Sequence, residues 1–361
     1  MNILWLNWKD IKHPEAGGAE VFTHEVAKRL VKDGYNITLF TSLFDGVSEE
    51  VIDDINIVRR GSKLSVYKEA ARYYKENKER FDLVIDEINT KPFLTPKYVN
   101  SPKVALIHQL AREYWFYEVR FPINVLGYYI LENLWLKNYL NIPTIVPSQS
   151  TKDDLVRLGF KDIRVVKQGL SIEPLANIPA KDDRPTLLFT ARLKRVKRPL
   201  DAIKAFKLVK EKIKDAQLWI VGDGYMFNEI KRYEDDSIKV YGKVSHEMKI
   251  RLMSRAHILL APFVREGWGL VVTEANALGT IAVSYDIPGL RDSIIDGITG
   301  KLVRSGDING LADVSIELLK DENRRREYAM NALEYARQFN WDITTEEFLD
   351  VTKEVMTIHA Q

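Results

Sequence analysis

The chain has 361 residues, of which 45% are hydrophobic and 29% are charged. These proportions are typical of globular proteins and exclude disordered, collagen-like and coiled-coil classes. Lys and Arg number 53 against 51 for Asp and Glu, and the net charge of +2 is too small for a protein that binds nucleic acid mainly through bulk electrostatics. We therefore expect no nucleic-acid partner. At about 150 residues per domain, the length predicts two domains.

The sequence contains no cysteine, which excludes disulfides, thiolate nucleophiles and cysteine-based metal centres. Its first residues lack the basic region and the long apolar run of a signal peptide. No apolar run reaches the roughly 18 residues that a membrane span requires. We therefore expect a cytoplasmic protein, either soluble or peripheral at the inner membrane face.

Short apolar runs alternate with amphipathic stretches along the first half of the chain, which is typical of parallel βα units. A helix is predicted over Ala19–Lys32. The predicted strands are Asn2–Asn7, Ile37–Thr41, Leu83–Asp86, Val104–His108 and Thr144–Val146. This pattern predicts one doubly wound sheet.

A turn-rich segment with prolines and charges, residues 171–185, predicts a linker. After it the alternation restarts. The predicted strands are Thr186–Thr190, Gln217–Val221, Ile238–Tyr241 and Ile258–Ala261, and the predicted helices are Pro199–Ile213 and Glu247–Met253. We therefore predict a second α/β sheet, with functional residues directly after the strands of both sheets.

Basic residues are concentrated directly after the strand predicted over Thr186–Thr190. Five cations lie there, at Arg192, Lys194, Arg195, Lys197 and Arg198. Pro199 follows them and suits the first position of a helix. Fixed positive charges beside unpaired helix N–H groups form a receptor for phosphate or diphosphate. A solvated basic loop is the alternative, and the position after a strand favours the phosphate site.

A second group of candidates follows the strand predicted over Ile258–Ala261. It comprises Glu266, Gly267, Trp268, Gly269, Leu270 and Glu274. The glycines allow backbone N–H groups to approach a ligand closely, and a helix is predicted to begin near Leu270. With Glu266 on the loop and Glu274 in the helix, both carboxylates can accept hydrogen bonds from the hydroxyls of one sugar or ribose ligand. A helix-capping glutamate and a solvated glutamate are the alternative, which leaves the Gly-x-Gly between them unexplained.

Two weaker candidates lie in the first half of the chain. Gly17 and Gly18 join the first strand to the first helix, and His108 ends a strand at the same predicted edge. A Gly-Gly turn is a weak signal, and a lone histidine is more often structural. The sequence has no Walker P-loop, no Gly-x-Ser-x-Gly elbow and no Asp-x-Asp pair. We therefore expect neither a metal nor a cofactor.

Together these residues resemble the retaining glycosyltransferases of family 4, whose GT-B fold has two Rossmann-like domains facing across a cleft. Glu266 and Glu274 stand at the family's spacing of seven residues between two glutamates, and Arg192 and Lys197 match its Arg-Leu-x-x-x-Lys element. Other segments in family order are Gly17–Glu20, Gly222–Gly224, Tyr241–Val244 and Pro288–Gly300. Tyr225 departs from the family pattern, in which proline often follows the Gly-x-Gly.

The resemblance covers nearly the whole chain, and it implies a domain organisation. Residues 1–168 would form an acceptor-side domain, and residues 169–341 would form the domain that binds the nucleotide-sugar donor. A terminal helix over residues 342–361 would cross back to the first domain.

The resemblance also implies roles for the matching residues in the second half. Arg192 and Lys197 would neutralise the diphosphate of a UDP- or GDP-sugar. Glu274 would bind the ribose hydroxyls, and Glu266 would bind the hydroxyls of the transferred hexose. The backbone N–H groups of residues 267–270, which are Gly267, Trp268, Gly269 and Leu270, would complete the phosphate and sugar site.

The remaining implied contacts come from both halves. His108 would lie at the donor sugar, and Gly17 and Gly18 would line the diphosphate and the acceptor. Tyr241 and Val244 would flank the base. Gly222 completes the predicted donor-binding residues.

Retention implies attack on the same face from which the diphosphate leaves, with the leaving phosphate accepting the proton of the acceptor. Glu266 would then position and stabilise, and would not act as the base. A nucleotide-sugar epimerase of the same fold is one alternative, but it would not need the paired glutamates. A catalytically silent sensor is another, and the presence of Glu266 and His108 argues against it.

Residues 113–140 are rich in aromatic side chains with scattered charges. One interpretation is a surface that docks at a membrane or receives a lipid-linked acceptor. The other is an aromatic helix packed in the core of the first domain. The sequence does not determine the base, the sugar, the acceptor or the oligomeric state. A glycan or a lipid-linked molecule is expected as the acceptor.

Overall fold

A computed structural model describes residues 1–359 of the chain. The described chain divides into two compact units. The first unit comprises Met1–Arg112, Phe121–Gly169 and the C-terminal residues from Asn340, and the second comprises Glu113–Arg120 and Leu170–Phe339. The prediction placed residues 113–120 in the first domain, whereas the structure packs this segment with the second unit.

Within residues 1–359, fourteen strands are numbered in chain order. They are β1 (Asn2–Leu6), β2 (Asn36–Thr41), β3 (Glu49–Ile52), β4 (Ile55–Arg59), β5 (Leu83–Glu87), β6 (Lys103–Leu106), β7 (Thr144–Val146), β8 (Ile163–Val165), β9 (Thr186–Thr190), β10 (Gln217–Val221), β11 (Ile238–Gly242), β12 (Ile258–Ala261), β13 (Ile281–Tyr285) and β14 (Gly300–Val303).

The α-helices are numbered in the same way. They are α1 (Gly18–Lys32), α2 (Val66–Asn77), α3 (Tyr114–Glu118), α4 (Ile123–Leu126), α5 (Glu132–Leu136), α6 (Gln149–Arg157), α7 (Pro199–Lys212), α8 (Phe227–Lys231), α9 (His246–Arg255), α10 (Leu270–Ala277), α11 (Leu290–Ser293), α12 (Ile308–Lys320), α13 (Glu322–Ala336) and α14 (Trp341–His359). Short 3-10 helices lie at Lys78–Arg80, Thr95–Lys97, Lys137–Tyr139 and Arg195–Lys197, and a π-helical turn lies at Gly127–Leu131.

The first unit is built on an eight-stranded sheet in the order β3-β4-β2-β1-β5-β6-β7-β8. All neighbours are parallel except β3 and β4, which form an antiparallel hairpin at one edge. In β1, Ile3 pairs with Ile37 on one side and with Leu83 on the other. The strand order reverses at β1 and β5, so the chain segments that follow these two strands are neighbours at one edge of the sheet.

The C-terminal helix α14 is part of the core of the first unit. The ring of Phe348 stacks on Trp5 of β1 with centroids 5.1 Å apart, and Trp341 meets Phe22 of α1 edge-on at 6.0 Å. Arg164, which lies in β8, donates from both terminal nitrogens of its guanidinium to the carboxylate of Glu354 on α14, each at 2.9 Å. Helix α14 therefore covers one face of the eight-stranded sheet.

The second unit is built on a six-stranded parallel sheet in the order β11-β10-β9-β12-β13-β14. Its core includes the fully buried side chains of Leu187, Phe189, Ile220 and Leu260. The strand order reverses at β9 and β12, which pair directly through Leu187 and Ile258. The loops that follow β9 and β12 are therefore neighbours, and this is the position where open α/β sheets bind ligands.

The two Rossmann-like sheets confirm the predicted fold class. Within residues 1–359, no helix is both long enough and apolar enough to cross a bilayer.

Phe348→Ala should destabilise the first unit by about 3 to 5 kcal/mol, because a fully buried aromatic ring is lost from the sheet face. Ile343→Ala on the same helix is the control, since Ile343 is 50% exposed and its loss should change stability by less than about 0.5 kcal/mol. Urea unfolding followed by tryptophan fluorescence measures both changes. Equal midpoints for the two variants would contradict the packing of α14.

Candidate functional site

The loop after β9 carries the basic cluster, and the basic residues in it make different contacts. Arg198 adopts a left-handed conformation (φ +48°) immediately before α7. Its guanidinium carbon lies 5.3 Å from the centre of the Tyr117 ring and 5.4 Å from that of Tyr285, and it forms an ion pair with Asp201 at 3.4 Å. Arg198 is therefore engaged within the protein. Lys197 instead forms an ion pair with Glu266, on the loop after β12.

Lys197 is subject to opposing influences. The Glu266 carboxylate and the Phe263 ring, whose centre lies 4.6 Å from the ammonium nitrogen, favour the charged amine, whereas burial and neighbouring cations disfavour it. Burial lowers the pKa of Lys197 to about 7, and the positive charges of Arg192 and Lys194 act in the same direction. An anionic ligand at this point would relieve that repulsion and favour the protonated amine.

Gly222 and Gly224 lie directly against the backbone of the basic loop. A Cβ atom on Gly222 would lie 1.9 Å from the carbonyl oxygen of Ala191, and one on Gly224 would lie 2.5 Å from that of Leu193. The Leu193 N–H donates to the carbonyl of Asp223 at 2.9 Å. The structure thus gives Gly222 a packing role, because the loop after β10 presses directly on the backbone beside Arg192.

The loop after β12 is shaped by two further glycines. Gly289 has φ +84°, and a Cβ atom there would lie 2.3 Å from the carbonyl oxygen of Glu266. Gly269 has φ +92° and precedes α10, where no side chain caps the helix. The first N–H groups of α10, which begins at Leu270, therefore lie next to the Glu266 loop and can serve an anion.

Glu274 lies on α10 and forms an ion pair with Lys249 of α9, at 2.6 Å. The sequence analysis did not single out Lys249, because a lysine on an amphipathic helix carries no local signal of its partner. Trp268 is 2% exposed and its ring meets Phe339 edge-on at 5.1 Å. Its side chain therefore belongs to the core, and only its backbone is available to a ligand.

Tyr241 and Val244, predicted beside the base, lie at and just after the end of β11 and are both partly buried. The Tyr241 ring meets Trp219 edge-on at 6.4 Å. Arg192, Lys197, Glu266 and Glu274 share the second unit with them.

His108 lies in the first unit, just after β6, and is 6% exposed. Its Nε2 atom lies 3.2 Å from the carboxylate of Glu87, and its Nδ1 atom lies 3.4 Å from the Gln168 amide. Glu87 is fully buried and also accepts a hydrogen bond from Trp5 at 2.8 Å. This carboxylate fixes the orientation of the imidazole. A glutamate closing the apolar strand β5 was the sequence signal that could have identified it.

Gly17 and Gly18 also lie in the first unit, at the start of α1. The Gly17 N–H donates to the carboxylate of Glu20 at 2.6 Å, and Glu20 pairs with Lys9 at 3.1 Å. The helix start is thus already served by a carboxylate of the chain.

Two family models match the chain. The model described as Glycosyl transferases group 1 matches residues 173–335, and the model described as Glycosyltransferase Family 4 matches residues 16–173. Over 202 residues the chain is 29% identical to the phosphatidyl-myo-inositol mannosyltransferase of Mycobacterium leprae (strain TN), which covers 53% of this chain and 54% of that protein. The chain spans about half the length of the curated relatives it matches.

Solved structures resemble the whole described chain. Sucrose-phosphate synthase (tll1590) from Thermosynechococcus elongatus superimposes with a TM-score of 0.81 over 99% of both chains, at 20% identity. The Anabaena protein Alr3699/HepE, in complex with UDP-glucose, has a TM-score of 0.74 over 98% of this chain and 100% of that chain, at 17% identity. At these identities the likeness demonstrates the fold.

Gly289→Ala should destabilise the second unit more than Gly297→Ala. Both glycines have positive φ, so both variants bear a backbone cost of about 1 to 2 kcal/mol. Only Gly289 lies against backbone, since the atom nearest to a Cβ on Gly297 is 3.9 Å away. Thermal unfolding measured by circular dichroism compares them, and equal melting temperatures would show that the Glu266 loop does not depend on this close contact.

Proposed function

The chain belongs to glycosyltransferase family 4 and has the GT-B fold, and we propose that it transfers a hexose from a nucleoside diphosphate donor to a hydroxyl group with retention of configuration. The observation that carries the proposal is the meeting of Lys197 with Glu266 on the loops after β9 and β12. A cation and an acceptor for sugar hydroxyls thus lie together at the switch point of the second sheet.

The diphosphate is assigned to Arg192 and Lys197. Bond cleavage leaves negative charge on the departing nucleoside diphosphate, and preorganised cations aimed at that charge stabilise the transition state. The N–H groups at the start of α10 add to the same field. Because these groups neutralise the diphosphate, we propose that transfer needs no added metal, and activity that survives EDTA supports this.

The nucleoside is assigned to Glu274, whose carboxylate would exchange Lys249 for the ribose hydroxyls. Tyr241 and Val244, close to the end of β11, are assigned to the base. UDP is the first donor nucleotide to test, because the Anabaena protein of the same fold was solved with UDP-glucose. GDP is the second.

The transfer itself follows from these assignments. The bond between the anomeric carbon and the diphosphate oxygen breaks, and the acceptor oxygen bonds to that carbon on the same face. The acceptor proton passes to the leaving phosphate. Glu266 holds the sugar hydroxyls throughout, while the first unit, in which Gly17, Gly18 and His108 lie, is assigned to the acceptor.

The acceptor is proposed to lie at a membrane surface. From Phe121 to Leu131 the chain has no charged residue, yet Phe121, Ile123 and Tyr129 are 80%, 56% and 63% exposed. Next to them, Tyr129, Ile130 and Leu134 line a groove together with the cations Lys137 and Arg157. Exposed apolar side chains with cations beside them fit an anionic bilayer interface. The mannosyltransferase relative carries a phospholipid in its name.

The donor assignment predicts distinct losses of ligand affinity. Arg192→Ala should weaken both UDP and pyrophosphate about 10-fold to 100-fold, as expected for a lost charged hydrogen bond. Glu274→Gln should weaken UDP but leave pyrophosphate unchanged. Arg195→Ala is the control, because it removes the same charge from an exposed position of the same loop. Isothermal titration calorimetry measures all three variants.

The absence of binding to every nucleoside diphosphate would overturn the donor assignment. Binding without donor hydrolysis or transfer would favour the silent sensor. The stereochemistry is read from the anomeric proton of the product by NMR, and a product of inverted configuration would overturn retention.

The surface assignment predicts binding to anionic vesicles. The wild type should float with vesicles of phosphatidylcholine and phosphatidylglycerol, and the double variant Ile123→Ser/Tyr129→Ser should not. The control Val51→Ser/Leu64→Ser removes hydrophobic side chains that are 64% and 82% exposed elsewhere in the first unit. A wild type that fails to bind vesicles, or that forms a dimer lost in the double variant, would contradict the membrane assignment.

A further inference from the structure

Residues 113–120, here called the strap, come from the first half of the chain but pack with the second unit. The strap makes three polar contacts with the loops of the donor site. Arg265 donates to Glu113 at 2.9 Å, Arg198 donates to the hydroxyl of Tyr117, and the Val196 N–H donates to Glu118 at 3.0 Å. Each contact falls on a residue next to Lys197 or Glu266.

The contact of Glu118 is reinforced by Tyr225. The Tyr225 hydroxyl donates to Glu118, with both carboxylate oxygens at 2.9 Å, and it accepts a hydrogen bond from the Arg195 N–H at 2.8 Å. Glu118 and Tyr225 thus satisfy two successive N–H groups directly before Lys197. Tyr225 stands where the resemblance leads us to expect proline, and its bond to Glu118 gives that difference a structural reason.

We propose that Glu118 is a positioning residue of the donor site, which fixes the loop over residues 191–198 through the Val196 N–H and Tyr225 and thereby places Lys197. The inference rests on the proposed function, because it takes that loop as the diphosphate site. Glu118 touches no reacting atom in this arrangement. It acts through the backbone of Val196 and through its field at Lys197.

The charges around Lys197 show why a second carboxylate matters. Glu266 pairs with the amine, whereas Arg192 and Lys194 repel it. Burial and these two cations lower the pKa of Lys197 to about 7, and the negative charge of Glu118 opposes that lowering. Without Glu118 the pKa would fall further, so less of the amine would be protonated at neutral pH.

The sign of the pH effect follows from this. A diphosphate binds the protonated amine, so the contribution of Lys197 to UDP affinity is constant below the pKa of the free protein and falls up to tenfold per pH unit above it. The terminal phosphate of UDP titrates at about pH 6 in every experiment, so its effect cancels when variants are compared. Glu118→Gln keeps hydrogen-bonding groups for Val196 and Tyr225 but removes the charge. The fall in affinity should therefore begin at a lower pH in Glu118→Gln than in the wild type.

Calorimetric titrations with UDP from pH 6 to 9 test the inference. Glu113→Gln is the matched control, because it removes a carboxylate from the same strap at Arg265, and its pH break should stay at the wild-type value. Lys197→Arg should abolish the break, since arginine stays charged throughout. In that background Glu118→Gln should shift nothing, and a shift that persists there would overturn the inference.

Glu118→Ala separates positioning from occlusion. If Glu118 positions the loop, this variant binds UDP more weakly than Glu118→Gln at pH 6, where Lys197 is protonated. If Glu118 instead fills the anion site of the free protein, Glu118→Ala binds UDP more tightly than the wild type, which overturns the proposal.

A ligand-free measurement distinguishes failure of the inference from failure of the proposed function. The 13Cε NMR signal of Lys197, assigned by its loss in Lys197→Arg, reports the protonation of the amine directly. A lower titration midpoint in Glu118→Gln supports the inference even if UDP does not bind. An unchanged midpoint overturns it even if UDP binds.

Discussion

The amine of Lys197 and the carboxylate of Glu266 form an ion pair where the strand order of the second sheet reverses, and the strand pairing and the close glycine contacts of that unit bring the two groups together. Lys197 and Glu266 are 69 residues apart in sequence, and only the pairing of β9 with β12 brings their loops together. Glycines without room for a Cβ atom set the backbone on either side, at Gly222 under one loop and at Gly289 beside the other. The pair is partly buried, which strengthens its interaction and also makes an uncompensated charge costly.

Much of the fold could be predicted because its elements are encoded locally. Apolar runs such as Leu187–Phe189 and Leu259–Leu260 identified buried parallel strands, and the prediction of two doubly wound sheets is confirmed. The hairpin of β3 and β4 was missed. It lies at a sheet edge, contains several acidic residues and turns through Asp53 and Asp54 at positive φ, so it lacks the apolar run on which the prediction relied. The prediction of the second sheet also stopped at β12, although Ile281–Tyr285 is equally apolar.

Only those residues of the candidate site that form a pattern within a short stretch of sequence could be predicted. The basic loop and the glycine-flanked glutamates did so, because spacing and composition carry their chemistry. Lys249 and Glu118 did not, since each depends on a partner tens of residues away that no local pattern indicates. Their effect on charge and orientation appears only once the loops are placed in three dimensions.

The path of the chain has a consequence for recombining this protein with its relatives. Neither unit is a continuous stretch, because the strap belongs to the second unit and α14 belongs to the first. A chimera joined at Gly169 would combine the Glu113 and Glu118 of one parent with the Arg265 and Val196 loops of the other. Its candidate site would then depend on whether a segment of eight residues comes from the same parent as the loops it contacts, so the natural unit of exchange is the second unit together with its strap.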